Sequence, residues 1–377
     1  MINNKKVLHL CVDDSFTDIA LQYFEKISPQ NNIVIKFRGE GFKKFNGQCF
    51  YINKKEELES IVKNINYDLI VLHALNGIWF DIIEKRPKDV KVVWIGWGYD
   101  YYDLFSQQIL LEKTNKCMRT LEMHQNIIRI IYTKMLKPLI SNYRIQKKKK
   151  IIRQIDYFAP VLQEEYNLFE QALLDQKRPD YVSFNYGVLE HDLVKGFENH
   201  VISGNDILLG NSSSATCNHI EAIELLSKID LNNKAVICPL SYGDPKYQKK
   251  ICFVGKQNLL LNFKPLLNLL PIEEYISTVL SCGNVIMNHV RQQAVGNIVL
   301  MLYLGAKVFL RQENPVYQFL RANDFTVYLI EDIQANPTIL DKTLSKEEIE
   351  KNRTKLKLFW SEEVIVNKTK KIISLAE

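Results

Sequence analysis

Residues 207–223 read ILLGNSSSATCNHIEAI. Three branched apolar residues predict a short buried strand, Gly210 and Asn211 break it, and Ser212, Ser213 and Ser214 fill a tight turn. Apolar residues then return at Ile220 and Ile223, at helical spacing. A strand, a small-residue turn and a helix start form the opening of a βα unit. They also gather unpaired backbone N–H groups and the positive end of a helix dipole at one point, which is how an anion is held. The same residues make an ordinary serine-capped strand–helix turn equally well, and this stretch by itself does not choose.

Outward from this unit the alternation repeats. After it come strands in KAVICPLSYG, LLLNFKPL, NVIMNHV, AKVFLRQ and TVYLIE, separated by helical stretches such as PKYQKKICFVGKQ, PIEEYISTVLSCG and NPVYQFLRAN. The first part of the chain has the same grammar, with strands in KKVLHLCV, NNIVIKFR, YDLIVLHAL and VKVVWIGWG. Strands alternating with helices imply parallel sheets. The expected fold class is α/β: two facing Rossmann-like domains, with the break near 190–206. The expected boundaries are 1–190, 191–355, and a last helix over 356–377 that returns to the first domain.

Of the 377 residues, 46% are hydrophobic and 24% charged, the balance of a folded chain rather than a disordered one. No apolar run approaches the roughly 18 residues that cross a bilayer, and MINNKKVLHLCVDD reads as a first strand, not a signal peptide. Seven cysteines form no CxxC pair, and their apolar surroundings suit buried thiols in a reducing cytoplasm. The net charge of +6 is unevenly spread. From Met123 to Ile155 there is no acid, but there are Arg129, Lys134, Lys137, Arg144, Lys147, Lys148, Lys149, Lys150 and Arg153 among Ile, Leu, Met and Tyr. This stretch is a solvated helix face or a contact with an anionic membrane surface, and nucleic acid is a weaker third reading because basic and aromatic residues are not otherwise organised for it.

Neither half carries GxGxxG, a P-loop or a GxSxG elbow, and the seven histidines lack metal-ligand spacing, so no metal or cofactor is expected. Four polar loops remain in the second half, each at the carboxyl end of a predicted strand, where open α/β sheets bind ligands. In the first, Gly210, Asn211 and Ser212 are placed for a diphosphate, ahead of the helix containing His219. The second, PLSYGDPKY, offers Tyr242 to flank a base. The third, NHVRQQAVGN, supplies Asn288, Arg291, Gln292, Gln293 and Gly296, and an arginine near a helix start suits phosphates or sugar hydroxyls. The fourth, RQENP, places Glu313 and Asn314 where a carboxylate accepts ribose hydroxyls, or merely stabilises a helix dipole. In the first half, Asp14, His73 and Asp100 end predicted strands and are candidates for a general base.

The segments WIGWGYDYYDL, LLGNSSSATCNHIEAI, VICPLSYGDPKY and RQQAVGNIVLMLYLGAKVFLRQENPVYQFL occur in the order and spacing of a known family. The chain resembles the TDP-N-acetylfucosamine:lipid II N-acetylfucosaminyltransferases (Fuc4NAc transferases) of glycosyltransferase family 56, which act in enterobacterial common antigen assembly. The likeness is best from about 205 to 320, while His9, Asp14, His73 and WG-x-D carry the thinner N-terminal match. It implies a GT-B-type fold, with a nucleotide sugar held by the C-terminal domain and an acceptor by the N-terminal one. It further implies a hexosyltransferase using a TDP- or UDP-sugar donor and an undecaprenyl-diphosphate-linked glycan acceptor, in common-antigen, O-antigen or capsule assembly. The expected place is the cytoplasmic face of the inner membrane, bound peripherally, with no nucleic-acid partner. Two rivals stay open: a non-catalytic nucleotide-sugar or glycan-binding protein, and a GT-B-fold nucleotide-sugar epimerase.

Overall fold

The runs VLHLC, LIVLH and KVVWI are apolar throughout rather than alternating, as required of parallel strands covered by helices on both faces. They form β1 (Val7–Cys11), β4 (Leu69–His73) and β5 (Lys91–Ile95), the centre of a seven-stranded sheet. The computed structural model of the chain describes residues 5–12, 15–39, 41–123, 137–174 and 176–376. Contacts divide it into two units, one of residues 1–106, 137–188 and 360–377, the other of residues 107–136 and 189–359.

In the first unit, β2 (Asn32–Phe37), β3 (Gln48–Ile52), β6 (Tyr157–Ala159) and β7 (Asp180–Tyr181) complete a wholly parallel sheet of order β3-β2-β1-β4-β5-β6-β7. Its helices are α1 (Ser15–Ile27), α2 (Lys55–Val62), α3 (Phe80–Lys85), then, beyond α4 (Glu112–Met123) of the second unit, α5 (Lys137–Ile152) and α6 (Gln163–Ala172). β3 lies outside the sequence expectation. It is an edge strand with one fully buried residue, Ile52, so its composition is too wet to read as a core run.

The second unit holds β8 (Ile207–Leu209), β9 (Val236–Pro239), β10 (Phe263–Leu266), β11 (Asn284–Met287), β12 (Lys307–Leu310) and β13 (Tyr328–Leu329), again all parallel, in the order β10-β9-β8-β11-β12-β13. Between them run α7 (His219–Leu226), α8 (Pro245–Leu259), α9 (Ile272–Ser281), α10 (Val295–Leu304), α11 (Pro315–Ala322), α12 (Ile330–Ala335) and α13 (Lys346–Trp360). The sequence reading of two Rossmann-like α/β domains thus holds.

The last helix, α14 (Glu362–Ser374), returns to the first unit as expected. Ile372 and Ile373 are fully buried with Val7, Phe24, Leu69 and Val93, and Lys26 on α1 pairs with Glu362 at 2.6 Å. The boundary read at 190 has an exception. α4 packs in the second unit, where Thr114 donates its N–H and its hydroxyl to the Glu221 carboxylate at 2.8 and 2.6 Å, and Met118 lies against the core of that unit.

Residues 124–136 of the basic stretch lie outside the described residues. Of the lysine run on α5, Lys148 is turned inward to Asp103 at 2.5 Å, Lys150 pairs with Glu84 at 3.0 Å and Lys147 lies over the Phe80 ring at 5.8 Å, so three of the four are engaged within the domain. No helix among the described residues is long and apolar enough to cross a membrane. All seven cysteines are free thiols, of which Cys11, Cys217, Cys238 and Cys282 are buried.

Candidate active site

Strand order in the second sheet reverses between β8 and β11, and at such a switch point the loops leaving the strands part to form a crevice. The loops after β8 and β11 are therefore neighbours, and side chains stitch them together. Gln293 donates to Asn211 Oδ1 at 2.9 Å while its own carbonyl accepts from Thr216 at 2.6 Å. Asn288 donates to the Asn218 carbonyl at 2.8 Å, and Asn218 donates back to the Asn288 carbonyl at 3.2 Å. The flanking loops join the same set: Asn211 donates to the Tyr242 hydroxyl at 3.0 Å, and Arg311 to Asn288 Oδ1 at 3.3 Å. All four loops singled out in the sequence meet at this edge.

The helices that start there differ in one respect. α8 and α11 are capped by their own side chains: Asp244 accepts from the Lys246 and Tyr247 N–H groups at 2.7 and 3.1 Å, and Asn314 from that of Val316 at 2.8 Å. α7 and α10, which flank the switch point, have no side-chain cap. Their N-cap residues, Asn218 (φ 49°) and Ala294 (φ 59°), sit in the left-handed region instead. For alanine that conformation costs about 1–2 kcal/mol, and such strain is kept where it shapes a site. The first of these uncapped helices follows the Gly210–Ser214 turn in sequence, and the second is tied to it by Gln293, which donates to Asn211.

Beneath the turn lie two buried imidazoles. Gly210 has φ +67°, and a Cβ there would lie 2.7 Å from His219 Nε2, so glycine is required on both counts. His219 is fully buried, and burial lowers its pKa to about 3. His289, whose Nε2 is 3.3 Å from Cys217 Sγ, is lowered to about 3 by burial and then by the neighbouring Arg291 charge. Both rings are neutral floor residues. His219, read from sequence as a ligand contact, supports the loop from below.

The structure thus sorts the sequence candidates. Asn211, Ser212, Asn288 and Asn314 are buried and occupied with loop contacts, Gln293 bridges two loops, and nothing restricts a side chain at Gly296, where a Cβ would meet only Leu193 at 3.5 Å. Tyr242 is exposed, and Arg291 and Glu313 are partly exposed, so these three are accessible from solvent. Glu313 is held at 2.5 Å by Arg311, a residue inside the quoted RQENP loop whose role the sequence did not disclose. A cavity of about 360 Å³ beside Glu313 and Val290 is walled by Gln107, Gln108, Leu110 and Leu111. That wall was not foreseen, because residues 107–123 read as part of the first domain.

In the first unit, Asp14 lies outside the described residues. Asp100 is buried and accepts from the N–H groups of Leu75 and Trp97, both at 2.8 Å, and from Trp94 Nε1 at 2.7 Å. Burial raises its pKa, but its oxygens are committed to closing the WG-x-D turn, in which Gly98 takes φ +90°. His73 is fully buried at the end of β4, with Nε2 3.1 Å from His9 and Nδ1 2.9 Å from the Tyr186 hydroxyl. Burial, reinforced by His9, holds its pKa well below the usual imidazole value. Both candidates for the base are thus buried and hydrogen-bonded within the first unit.

Comparison with known proteins bears on the crevice. Residues 191–361, which contain all four loops, match the family model for 4-alpha-L-fucosyltransferase, glycosyl transferase group 56, and residues 25–133 match that for glycosyl transferase 4-like proteins. The chain is a glycosyltransferase, and its second domain resembles group 56. The glycosyltransferase is similar in structure to the sucrose-phosphate synthase of Thermosynechococcus elongatus, with TM-score 0.64, 10% identity and 99% of each chain covered. It is similar to a glycosyltransferase from Rickettsia africae, with TM-score 0.62, 14% identity and 99% of each chain covered. HepE of Anabaena, solved with UDP-glucose, gives TM-score 0.55 and 12% identity over 99% of this chain and 94% of the other. At such identities these likenesses establish the fold, which is GT-B.

Proposed function

We propose that this glycosyltransferase moves a sugar, Fuc4NAc-like or closely related, from a TDP- or UDP-linked donor to a polyprenyl-diphosphate-linked glycan at an anionic membrane surface, in assembly of a bacterial surface polysaccharide. The observation that carries the donor assignment is the pair of uncapped helix N-termini, α7 and α10, on either side of the Gly210 turn, with Arg291 beside them. In this reading the diphosphate lies against those N–H groups and Arg291, Tyr242 flanks the base, and Glu313 accepts from the ribose. No divalent ion takes part: the dipoles and the guanidinium supply the positive charge that the leaving diphosphate needs. His73 and Asp100 have no role as base. The acceptor and membrane assignments rest on the resemblance of the sequence segments to the Fuc4NAc transferases and on the basic composition of the stretch 123–155.

Calorimetry with TDP and UDP tests the donor site. Loss of one charge-assisted contact, worth about 1.5–3 kcal/mol, should weaken nucleotide binding by roughly 10- to 100-fold in Arg291→Ala, and EDTA should leave wild-type binding and transfer unchanged. Unaltered affinity in the variant, or transfer that requires added manganese, contradicts the assignment. Transfer should need the lipid-linked glycan and rise with anionic vesicles. A nucleotide sugar epimerised with no acceptor present would favour the rival epimerase.

A further inference from the structure

The carboxyl edge of the first sheet is built for a different kind of ligand. Its order reverses between β1 and β4, and the loops after β4 and β5, residues 74–79 and 96–106, contain no lysine or arginine. Aromatic rings stand there instead. Trp97 packs on Tyr186 with centroids 4.6 Å apart and meets Phe16 edge-on at 5.6 Å. Phe16 is 42% exposed, and of the four tryptophans only Trp97 is not buried.

A hydrogen-bonded chain behind Trp97 has one consistent proton order. Asn32 donates both amide hydrogens, to Glu25 and to the Ser28 carbonyl, each at 2.8 Å, so its oxygen faces His9 Nε2 at 3.2 Å and accepts. His9 Nε2 therefore bears the hydrogen, and Nδ1 accepts from His73 Nε2 at 3.1 Å. His73 Nδ1 then accepts from the Tyr186 hydroxyl at 2.9 Å, whose oxygen accepts from Trp97 Nε1 at 3.0 Å. Every link runs from the indole toward Glu25, with both imidazoles neutral, as their burial demands.

We propose that this chain locks the Trp97 indole as a stacking platform for an uncharged sugar ring of the acceptor, with Phe16 at its edge. The reading rests on the sugar-transfer function proposed above. The one polar atom of the indole is spent on Tyr186, which leaves hydrocarbon surface to meet the C–H face of a sugar. The loops after β4 and β5 supply no cation to hold a phosphate. Tyr186, His73 and His9 are positioning residues.

Trp97 is its own reporter, because acrylamide reaches the other tryptophans poorly. A panel of methyl glycosides and N-acetylated disaccharides should include members that reduce quenching of wild-type emission several-fold, while UDP alone leaves it unchanged. Tyr186→Phe keeps the ring and cuts the chain. It should shift Trp97 emission and weaken sugar binding at least fivefold without altering UDP affinity, whereas a merely structural role would leave the emission and sugar affinity together unmoved. No protection by any sugar, or saturation-transfer signals from sugar unchanged in Trp97→Ala, overturns the platform. Nucleotide binding is measured on the same samples. Nucleotide binding without sugar protection refutes the platform alone, and sugar protection without nucleotide binding refutes the donor site alone.

Discussion

Taking the protein from pH 7 to pH 5 is expected to remove a large part of the stability of each unit. Among the described residues four histidines are fully buried: His9 and His73 in the first unit, His219 and His289 in the second. Burial lowers His9 to about 4 and both His219 and His289 to about 3, and holds His73 well below its ordinary value. The folded values lie beneath the unfolded one, so the unfolded chain takes up protons that the folded chain refuses. Their stabilising contribution is complete above the unfolded value near 6.5 and is lost as pH falls toward 4 for His9 and toward 3 for His219 and His289. Each refused proton costs about 1.4 kcal/mol per pH unit. By pH 5 that is about 2 kcal/mol per histidine, and the two in each unit sum to about 4 kcal/mol, a large part of the stability of an ordinary domain. Urea unfolding followed by circular dichroism should show the midpoint falling steeply between these pH values, and a constant midpoint would show that the rings are not held neutral.

Gly210→Ala is expected to damage both the fold and the donor site. The left-handed φ of +67° costs alanine about 1–2 kcal/mol, and the new methyl would press on an imidazole that has no room to retreat, since His219 is fully buried against Tyr247. A total of about 2–4 kcal/mol, spread over a domain of this size, should lower the melting temperature by roughly 5–15 °C. Nucleotide affinity should fall at least tenfold because the turn between α7 and α10 must move. Adding His219→Ala removes the clash but not the φ penalty, so the double variant should recover part of the loss. A double variant whose defect equals the sum of the singles would show that the ring and the glycine do not meet.

The fold was largely legible because its parallel strands are buried on both faces and read as unbroken apolar runs, as in VLHLC and LIVLH. β3 was not, since an edge strand half in water looks like a loop. The location of the candidate site was legible for the same reason: strand ends are where polar residues interrupt those runs. The roles within it were much less so. Asn211, Asn288 and Asn314 look the same in sequence whether they face a ligand or hold a neighbouring loop, and their partners are dozens of residues away. Asp100 likewise reads as a free carboxylate until Leu75, Trp94 and Trp97 are brought to it. Only Asn218 announces a left-handed cap by its residue type; Ala294 gives no such sign.

The interleaving of the units also dictates an order of assembly. The first unit begins the chain but needs β6 and β7, and its core is closed by Ile372 and Ile373. A polypeptide emerging from the ribosome therefore starts one domain, lays down α4 of the other, completes the first sheet by residue 188, builds the second domain, and returns to the first for its last helix at residue 360. Until then Ala20 and Phe24 lack the helix that covers them, a bare apolar surface of the kind chaperones retain. Chains stalled before residue 360 should present a protease-resistant second domain and a sensitive first one, and equal resistance in both would mean that the last helix arrives on a core already formed.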